Sequence, residues 1–323
     1  MAHTRANART GSRSDQRPLG SFGALPTCHA RTVEHVLAVD IGGTKMAAAV
    51  VDVDGVLVAR DQVLTEGANA DSLFATVAGL IDRVRERAGV EVVGCGVGSG
   101  GPMSAGGETV SPLNIAQWRA FPLRERLSQH TGLVTWVDND AKALALGEGW
   151  KGAAVGHRNY LAMVVSTGVG GGIVLDGRLL DGTGGNAGHI GHMNVVPDGR
   201  ACPCGSHGCL EAEASGTAIK AITGRSAKQA TDEVIRRTGA LVGRAVGSVA
   251  SLLDLQLACV AGSVALGFGE PFFAAAQAEV NRYATISHAR GTVIRPAGLT
   301  SDGPLVGAAA VAWQALGHDV GAK

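Results

Sequence analysis

The chain has 323 residues, 46% of them apolar and 17% charged, with 28 basic residues against 28 acidic. That length and apolar share suit a folded protein large enough for two domains and exclude a disordered one. A formal net charge of zero offers no field to draw it to nucleic acid or an anionic membrane, and no apolar run is long enough to span a bilayer.

Residues 1–34 carry Arg5, Arg9, Arg13, Arg17 and Arg31 among small polar residues, with no periodic apolar face. They predict a disordered extension, because such a segment buries too little surface to offset its ordering entropy. An Arg-rich, acid-poor start also suits an organelle transit peptide, a weaker reading. There is no apolar core of a secretory signal, so the expected location is cytoplasmic.

The first strand signal is the apolar run 36–41, which ends in Asp40, Ile41 and the pair Gly42-Gly43. A second run, 46–53, leads to Asp54-Gly55, a tight-turn pair, and a third strand starts at 56. Leu73, Val77, Leu80, Ile81 and Val84 recur at helical spacing and predict a helix over 71–88. The same order returns later: apolar 161–165, glycine-rich 166–172, apolar 173–175, the turn Asp176-Gly177, and a strand beginning at Leu179. Strand, glycine turn, strand, Asp-Gly turn, strand therefore occurs twice, about one domain apart. Successive backbone amides in such turns form anion-binding concavities, so two of them suit the two sides of a phosphate chain. Further on, 231–253 reads as a helix, 256–261 as a buried strand ending at Gly262-Ser263, and 304–316 as a closing helix. The alternation predicts an α/β class.

Three constellations carry chemistry. Gly42, Gly43 and Thr44 read either as an ordinary hairpin or as a phosphate turn, and the second copy favours the latter. Asn139-Asp140 lies between an apolar strand, 134–137, and a helix, 141–148. Asp140 reads as a helix N-cap or as a general base, with Asp138 the rival carboxylate. Cys202, Cys204 and Cys209 crowd into eight residues, with His192 ten residues upstream. One imidazole and three thiols suit tetrahedral Zn²⁺ better than a disulfide framework, with buried free thiols the alternative. A decoy is also present. Gly96, Gly98 and Gly101 satisfy G-x-G-x-x-G after Val92-Val93, but Pro102 follows and no helix opens, so a dinucleotide site is rejected.

In order, Asp40-Ile-Gly-Gly-Thr-Lys45, Asn139-Asp140, Ser166-Thr-Gly-Val-Gly-Gly-Gly172 and the segment from Cys202 to Glu211 resemble the ROK family of repressors and sugar kinases, across residues 36–316. The resemblance implies an actin-like (ribonuclease H-like), duplicated two-domain ATPase fold with a cleft between the domains. The expected division is a small α/β domain over 35–137 plus 303–323 and a large one over 138–302 with a zinc-bound loop. It implies ATP and Mg²⁺ as cofactors, with Asp40, Gly42, Gly43, Thr44, Lys45, Thr167, Gly168, Gly170, Gly262 and Ser263 at the nucleotide and Asp40 helping to place the magnesium. It implies a sugar held by Asn114, Asn139, Asp140, His189, His192 and Glu211, with Asp140 as catalytic base at the 6-hydroxyl. It also implies structural Zn²⁺ on His192, Cys202, Cys204 and Cys209, and a homodimer.

Two positions depart from the family pattern. His189 stands where most of the family's kinases have Glu, as it does in the family's N-acetylmannosamine kinases, whereas the segment from Asn114 to Trp118 is similar to the glucokinase branch. Glucose and N-acetylmannosamine are thus the two expected sugars. Lys142 replaces a small or amide residue and is expected on a solvated helix face; Trp118 is expected to pack rather than to stack on sugar. The competing classes are a sugar-responsive repressor of the same family and a noncatalytic sugar sensor. Only 39 residues precede Asp40 and they lack paired amphipathic helices, so a winged helix-turn-helix is not expected. No nucleic-acid or membrane partner is expected.

Overall fold

The computed structural model describes residues 33–322. The expectation for residues 1–34 falls almost wholly outside them, as does Cys28.

The first half runs β1 (His35–Ile41), β2 (Lys45–Asp52), β3 (Leu57–Leu64), α1 (Ala70–Ala88), β4 (Cys95–Ser99), α2 (Leu123–Thr131), β5 (Thr135–Asn139) and α3 (Asp140–Lys151). The second runs β6 (Tyr160–Val165), β7 (Val169–Leu175), β8 (Arg178–Leu179), α4 (Leu210–Ala214), α5 (Gly216–Thr223), α6 (Asp232–Leu253), β9 (Leu257–Ala261), α7 (Ser263–Phe268), α8 (Glu270–Tyr283), β10 (Val293–Pro296) and α9 (Gly303–Ala315). Among the described residues there are two five-stranded sheets, ordered β3-β2-β1-β4-β5 and β8-β7-β6-β9-β10. In each, the first three strands are antiparallel and the last two join parallel to the first. The duplicated pattern in the sequence is therefore a duplicated topology.

Strand alternation sets the layers. In β1, Leu37, Val39 and Ile41 face α1 and α2, while Val36 and Ala38 face the opposite side. In β6, Leu161, Met163 and Val165 pack toward α6 and α8, while Tyr160 and Ala162 join Val36 and Ala38 in one cluster with α3 and α9. Two helices thus lie between the sheets, and both are small-residue helices that allow close approach. Trp313 of α9 is fully buried and its indole N–H donates to the Asp52 carbonyl at 3.1 Å, tying α9 to β2.

Two of the decoy glycines, Gly96 and Gly98, lie in strand β4, and the preceding Val93 is 43% exposed. Glycine weakens a strand signal, yet here its bareness is the point. A Cβ on Gly96 would come 2.0 Å from the Ala308 carbonyl oxygen of α9. No α-helix follows until α2, as the rejection of a dinucleotide site requires. Trp118 packs: it is fully buried, stacks on Phe121 at 4.5 Å between ring centroids, and donates to the Ala70 carbonyl. No helix among the described residues is long and apolar enough to cross a membrane.

Candidate active site

The first glycine turn closes when the Gly42 amide donates to the Lys45 carbonyl at 3.1 Å and Thr65 Oγ1 donates to the Gly42 carbonyl at 2.7 Å. In the second turn, the Ser166 amide donates to the Gly168 carbonyl at 2.9 Å. Among the described residues, the amides of Gly43, Thr44, Thr167 and Gly168 have no backbone acceptor. Four N–H groups are left to meet an anion.

Between the turns lies the N-terminal end of α3. A Cβ on Gly98 would sit 3.5 Å from the Asp140 Cα and 3.8 Å from Asp40 Oδ1, so Asp40 and the start of α3 border the same point of β4. On the other side, a Cβ on Gly172 would come 2.7 Å from the Ala141 carbonyl oxygen. Gly170 does not lie in the turn. It is inside β7 opposite Val164, and its bare Cα faces Ala141, so its evident role is packing.

The cap of α3 is Asn139, not Asp140: Asn139 Oδ1 accepts the Ala141 amide at 3.0 Å. That uses the oxygen of Asn139 and leaves its Nδ2 as the group free to donate. Asp140 is the first helical residue, exposed to solvent yet set in a recess, and Ala141 is its backbone partner. Desolvation by the surrounding protein raises its pKa above the ordinary carboxylate value, against the pull of the Ala141 amide and His189. Asp40 is pushed up to about 7, first by burial and then by the charge on Asp140, with Lys45 partly offsetting. Asp138, the rival carboxylate, is engaged elsewhere. Its Oδ1 accepts the Asn139 amide at 2.7 Å and pairs with Lys142 Nζ at 2.8 Å.

Lys142 is not on a solvated face. It is 2% exposed, and its ammonium also meets Asp181 Oδ1 at 2.6 Å. The helix surface expected from sequence is covered by the second sheet and the segment that follows β8.

Gly101 borders two polar side chains. A side chain there would meet Asn139 Nδ2 at 3.4 Å and His189 Nε2 at 3.7 Å, so two polar atoms border one space. His189 Nδ1 lies 2.9 Å from the Asn186 carbonyl. A carbonyl only accepts, so Nδ1 carries a proton; in the neutral ring Nε2 then presents a lone pair, and in the cation it donates. Asn114 backs onto the first turn: a Cβ on Gly43 would come 2.6 Å from its own Cβ. Its neighbour Leu113 donates to the Gly101 carbonyl at 3.3 Å.

Glu211 reaches the second turn, where its Oε2 accepts the Val169 amide at 2.8 Å. A Cβ on Gly168 would come 2.6 Å from that oxygen, so a side chain there would have to displace the Glu211 carboxylate. The Gly262-Ser263 corner meets the same turn through Ser263 Oγ, 3.0 Å from Ser166 Oγ, and Gly262 has a φ of 99° with Val165 oxygen in the place of any Cβ. Thr217, which sequence reasoning missed, donates its hydroxyl to the Thr167 carbonyl at 2.9 Å. Lys45 Nζ donates to Gln62 Oε1 at 3.3 Å beside Asp40.

His192, Cys202, Cys204 and Cys209 bring their ligand atoms within 4.8 Å of one another. Cys204 Sγ is 3.7 Å from Cys209 Sγ, and Cys202 Sγ is 3.7 Å from His192 Nδ1. Tetrahedral zinc with bonds of about 2.0–2.3 Å separates its ligands by about 3.5–3.8 Å, so the donor set fits that ion in type and spacing. Glu213, 2% exposed and unremarked in the sequence, holds the loop: Oε1 accepts the Arg200 amide at 2.7 Å and Oε2 pairs with Arg237 at 2.6 Å.

The family model of the ROK family matches residues 36–315. The chain belongs to the ROK family. A glucokinase of Streptomyces coelicolor is 38% identical over 215 residues, 66% of this chain and 65% of that protein, so the match spans just under two thirds of this relative's length. An N-acetylmannosamine kinase of Yersinia pseudotuberculosis is 36% identical over 249 residues, 72% of this chain and 84% of that protein. The crystal structure of a ROK glucokinase from Streptomyces griseus with glucose and AMPPNP superposes with a TM-score of 0.76 at 31% identity, covering 87% of this chain and 99% of that one. The two like-ordered sheets with helices between them are the actin-like ATPase fold of this family.

Proposed function

We propose that this ROK protein is an ATP-dependent sugar kinase that phosphorylates the 6-hydroxyl of a hexose or N-acylhexosamine, glucose or N-acetylmannosamine. The observation that carries this is the setting of Asp140. Its carboxylate has no ion-pair partner among the described residues, has a raised pKa, and faces Asp40 at the helix end between two turns with unengaged amides.

Asp140 takes the proton of the sugar hydroxyl as that oxygen attacks the γ-phosphorus. The bond to the β,γ-bridging oxygen breaks and ADP leaves. A raised pKa makes a carboxylate a better proton acceptor at neutral pH, and positioned base catalysis is worth about 10²–10⁴-fold. The amides of Gly43, Thr44, Thr167 and Gly168 donate to phosphate oxygens, with Thr44, Lys45 and Ser263 beside them. Asp40 and Asp140 leave two carboxylates close together, offset in part by Lys45 and His189, which suits a divalent cation. Asp40 would hold the magnesium ion, whose charge neutralises the phosphate chain.

On the sugar side, Asn139 Nδ2 donates, His189 Nε2 accepts, and Asn114 and Glu211 supply further polar atoms. His192, Cys202, Cys204 and Cys209 would hold a structural zinc that orders the loop leading into Glu211. The lobes, 35–137 with 303–323 and 138–302, would close on the substrates and exclude water. A homodimer completes this reading on family likeness. Both curated relatives named above are kinases, which favours catalysis over regulation.

The test is a coupled ADP-release assay with glucose, mannose, N-acetylglucosamine and N-acetylmannosamine. Sugar-dependent ADP release with glucose or N-acetylmannosamine is expected; no release with any of the four overturns the reading.

A further inference from the structure

Lys142 Nζ meets three acceptors: Asp138 at the end of β5 (2.8 Å), and Asp181 (2.6 Å) and the Gly185 carbonyl (3.4 Å) in the segment after β8. Burial alone would favour a neutral amine, but the two carboxylates hold its pKa above the ordinary lysine value. The segment held by this ammonium, residues 181–189, is tied within itself only by short-range bonds, among them the Gly185 amide to the Gly182 carbonyl at 3.4 Å and Asn186 Nδ2 to the Gly184 carbonyl at 2.8 Å, while Gly188 lies against the Gly171 carbonyl of β7. Gly182, Gly185 and Gly188 all adopt positive φ, and glycine loses the most freedom on ordering. Within the segment, the Ala187 amide donates to the Asp181 carbonyl at 2.9 Å, and Asn186 Nδ2 crosses to the Met103 carbonyl at 3.3 Å. Asn186 also supplies the carbonyl that fixes the His189 ring. A chain of contacts therefore runs from Lys142 through Asp181 to the nitrogen that borders the space at Gly101.

We propose that Lys142 and Asp181 are positioning residues for the acceptor sugar: their ion pair anchors the glycine-rich strap 181–189 and so sets the place of His189 Nε2. This rests on the sugar-kinase reading above. Asp138 gives the anchor a built-in control. The Asp181 side chain is 69% exposed, whereas Lys142 keeps Asp138 if Asp181 is changed, so Asp181→Asn releases the strap without stranding a buried charge.

The experiment measures sugar KM and ATP KM by ADP release, sugar Kd by calorimetry without nucleotide, and amide hydrogen exchange over 182–189. Asp181→Asn is expected to raise sugar KM and Kd about tenfold, the scale of one charge-assisted hydrogen bond, with ATP KM unchanged and exchange faster. Asp181→Glu should recover part of the loss, and Lys142→Met combined with Asp181→Asn should be no worse than Lys142→Met alone. Sugar KM and Kd within about twofold of wild type overturn the proposal, even if exchange quickens; so does an equal rise in sugar and ATP KM. A wild type that binds sugar but releases no ADP defeats the kinase reading alone, since the calorimetric arm still judges the anchor.

Discussion

Asp40 closes a strand of the first sheet and Asp140 opens the helix between the sheets, yet the charge on Asp140 helps push Asp40 up to about 7. Two residues one hundred positions apart are thus one electrostatic unit. Burial and like charge of this kind are typical of functional sites, and a bound cation would relieve them.

Asp40→Asn should stabilise the protein while abolishing turnover. A carboxyl with a folded pKa near 7 and an ordinary value of 3.8 costs nothing below about 3.8, costs progressively more as pH rises to 7, and costs a constant amount above that. Melting temperatures without magnesium or nucleotide should show the mutant's advantage growing from pH 5 to 7 and then levelling. An advantage that is absent or independent of pH would contradict the Asp40 assignment.

Asp140→Asn should bind sugar as wild type does and lose about 10²–10⁴-fold in kcat. In wild type, kcat should fall on acidification with an apparent pKa above the ordinary carboxylate value, because the base works only when ionised. Near-normal turnover in the mutant refutes the base.

His189→Glu should shift preference toward glucose relative to N-acetylmannosamine, because an imidazole that can donate or accept becomes an anionic acceptor beside Gly101. The added negative charge should also move the acid limb of kcat upward by disfavouring ionised Asp140. An unchanged sugar ratio removes His189 as a determinant of specificity.

Metal analysis of the purified protein should find about one zinc per chain, falling well below that in Cys204→Ser. Cys204 is the exposed ligand, so its loss disturbs little packing. Full zinc content in the mutant, or a folded wild type without zinc, would defeat the four-ligand site.

Glu148→Ala should destabilise by about 3 kcal/mol, since it empties a buried site and leaves three partly buried amides without their acceptor. Glu148 is fully buried on α3 and accepts the amides of Ala153 (2.6 Å), Gly298 (2.9 Å) and Leu299 (3.0 Å), pinning the chain as it returns from β10 to α9. Thermal unfolding unchanged within a degree would contradict this.

By itself the sequence determined the duplicated strand and turn order, the helices with strong apolar periodicity, the two glycine turns and the cluster of cysteines, because each is written in local spacing. It did not determine what Lys142, Glu148, Glu213 or the glycines of β4 do. Those roles exist only after distant segments meet: Lys142 reads as a surface residue until Asp181 covers it, and Gly96 reads only as part of a false dinucleotide motif until α9 lies on it. Nor could it separate Asp138 from Asp140, two carboxylates on one short stretch, until packing gave one a lysine and left the other in the recess. Local chemistry depends on neighbours in the chain, whereas pairing, burial and charge coupling depend on neighbours in space.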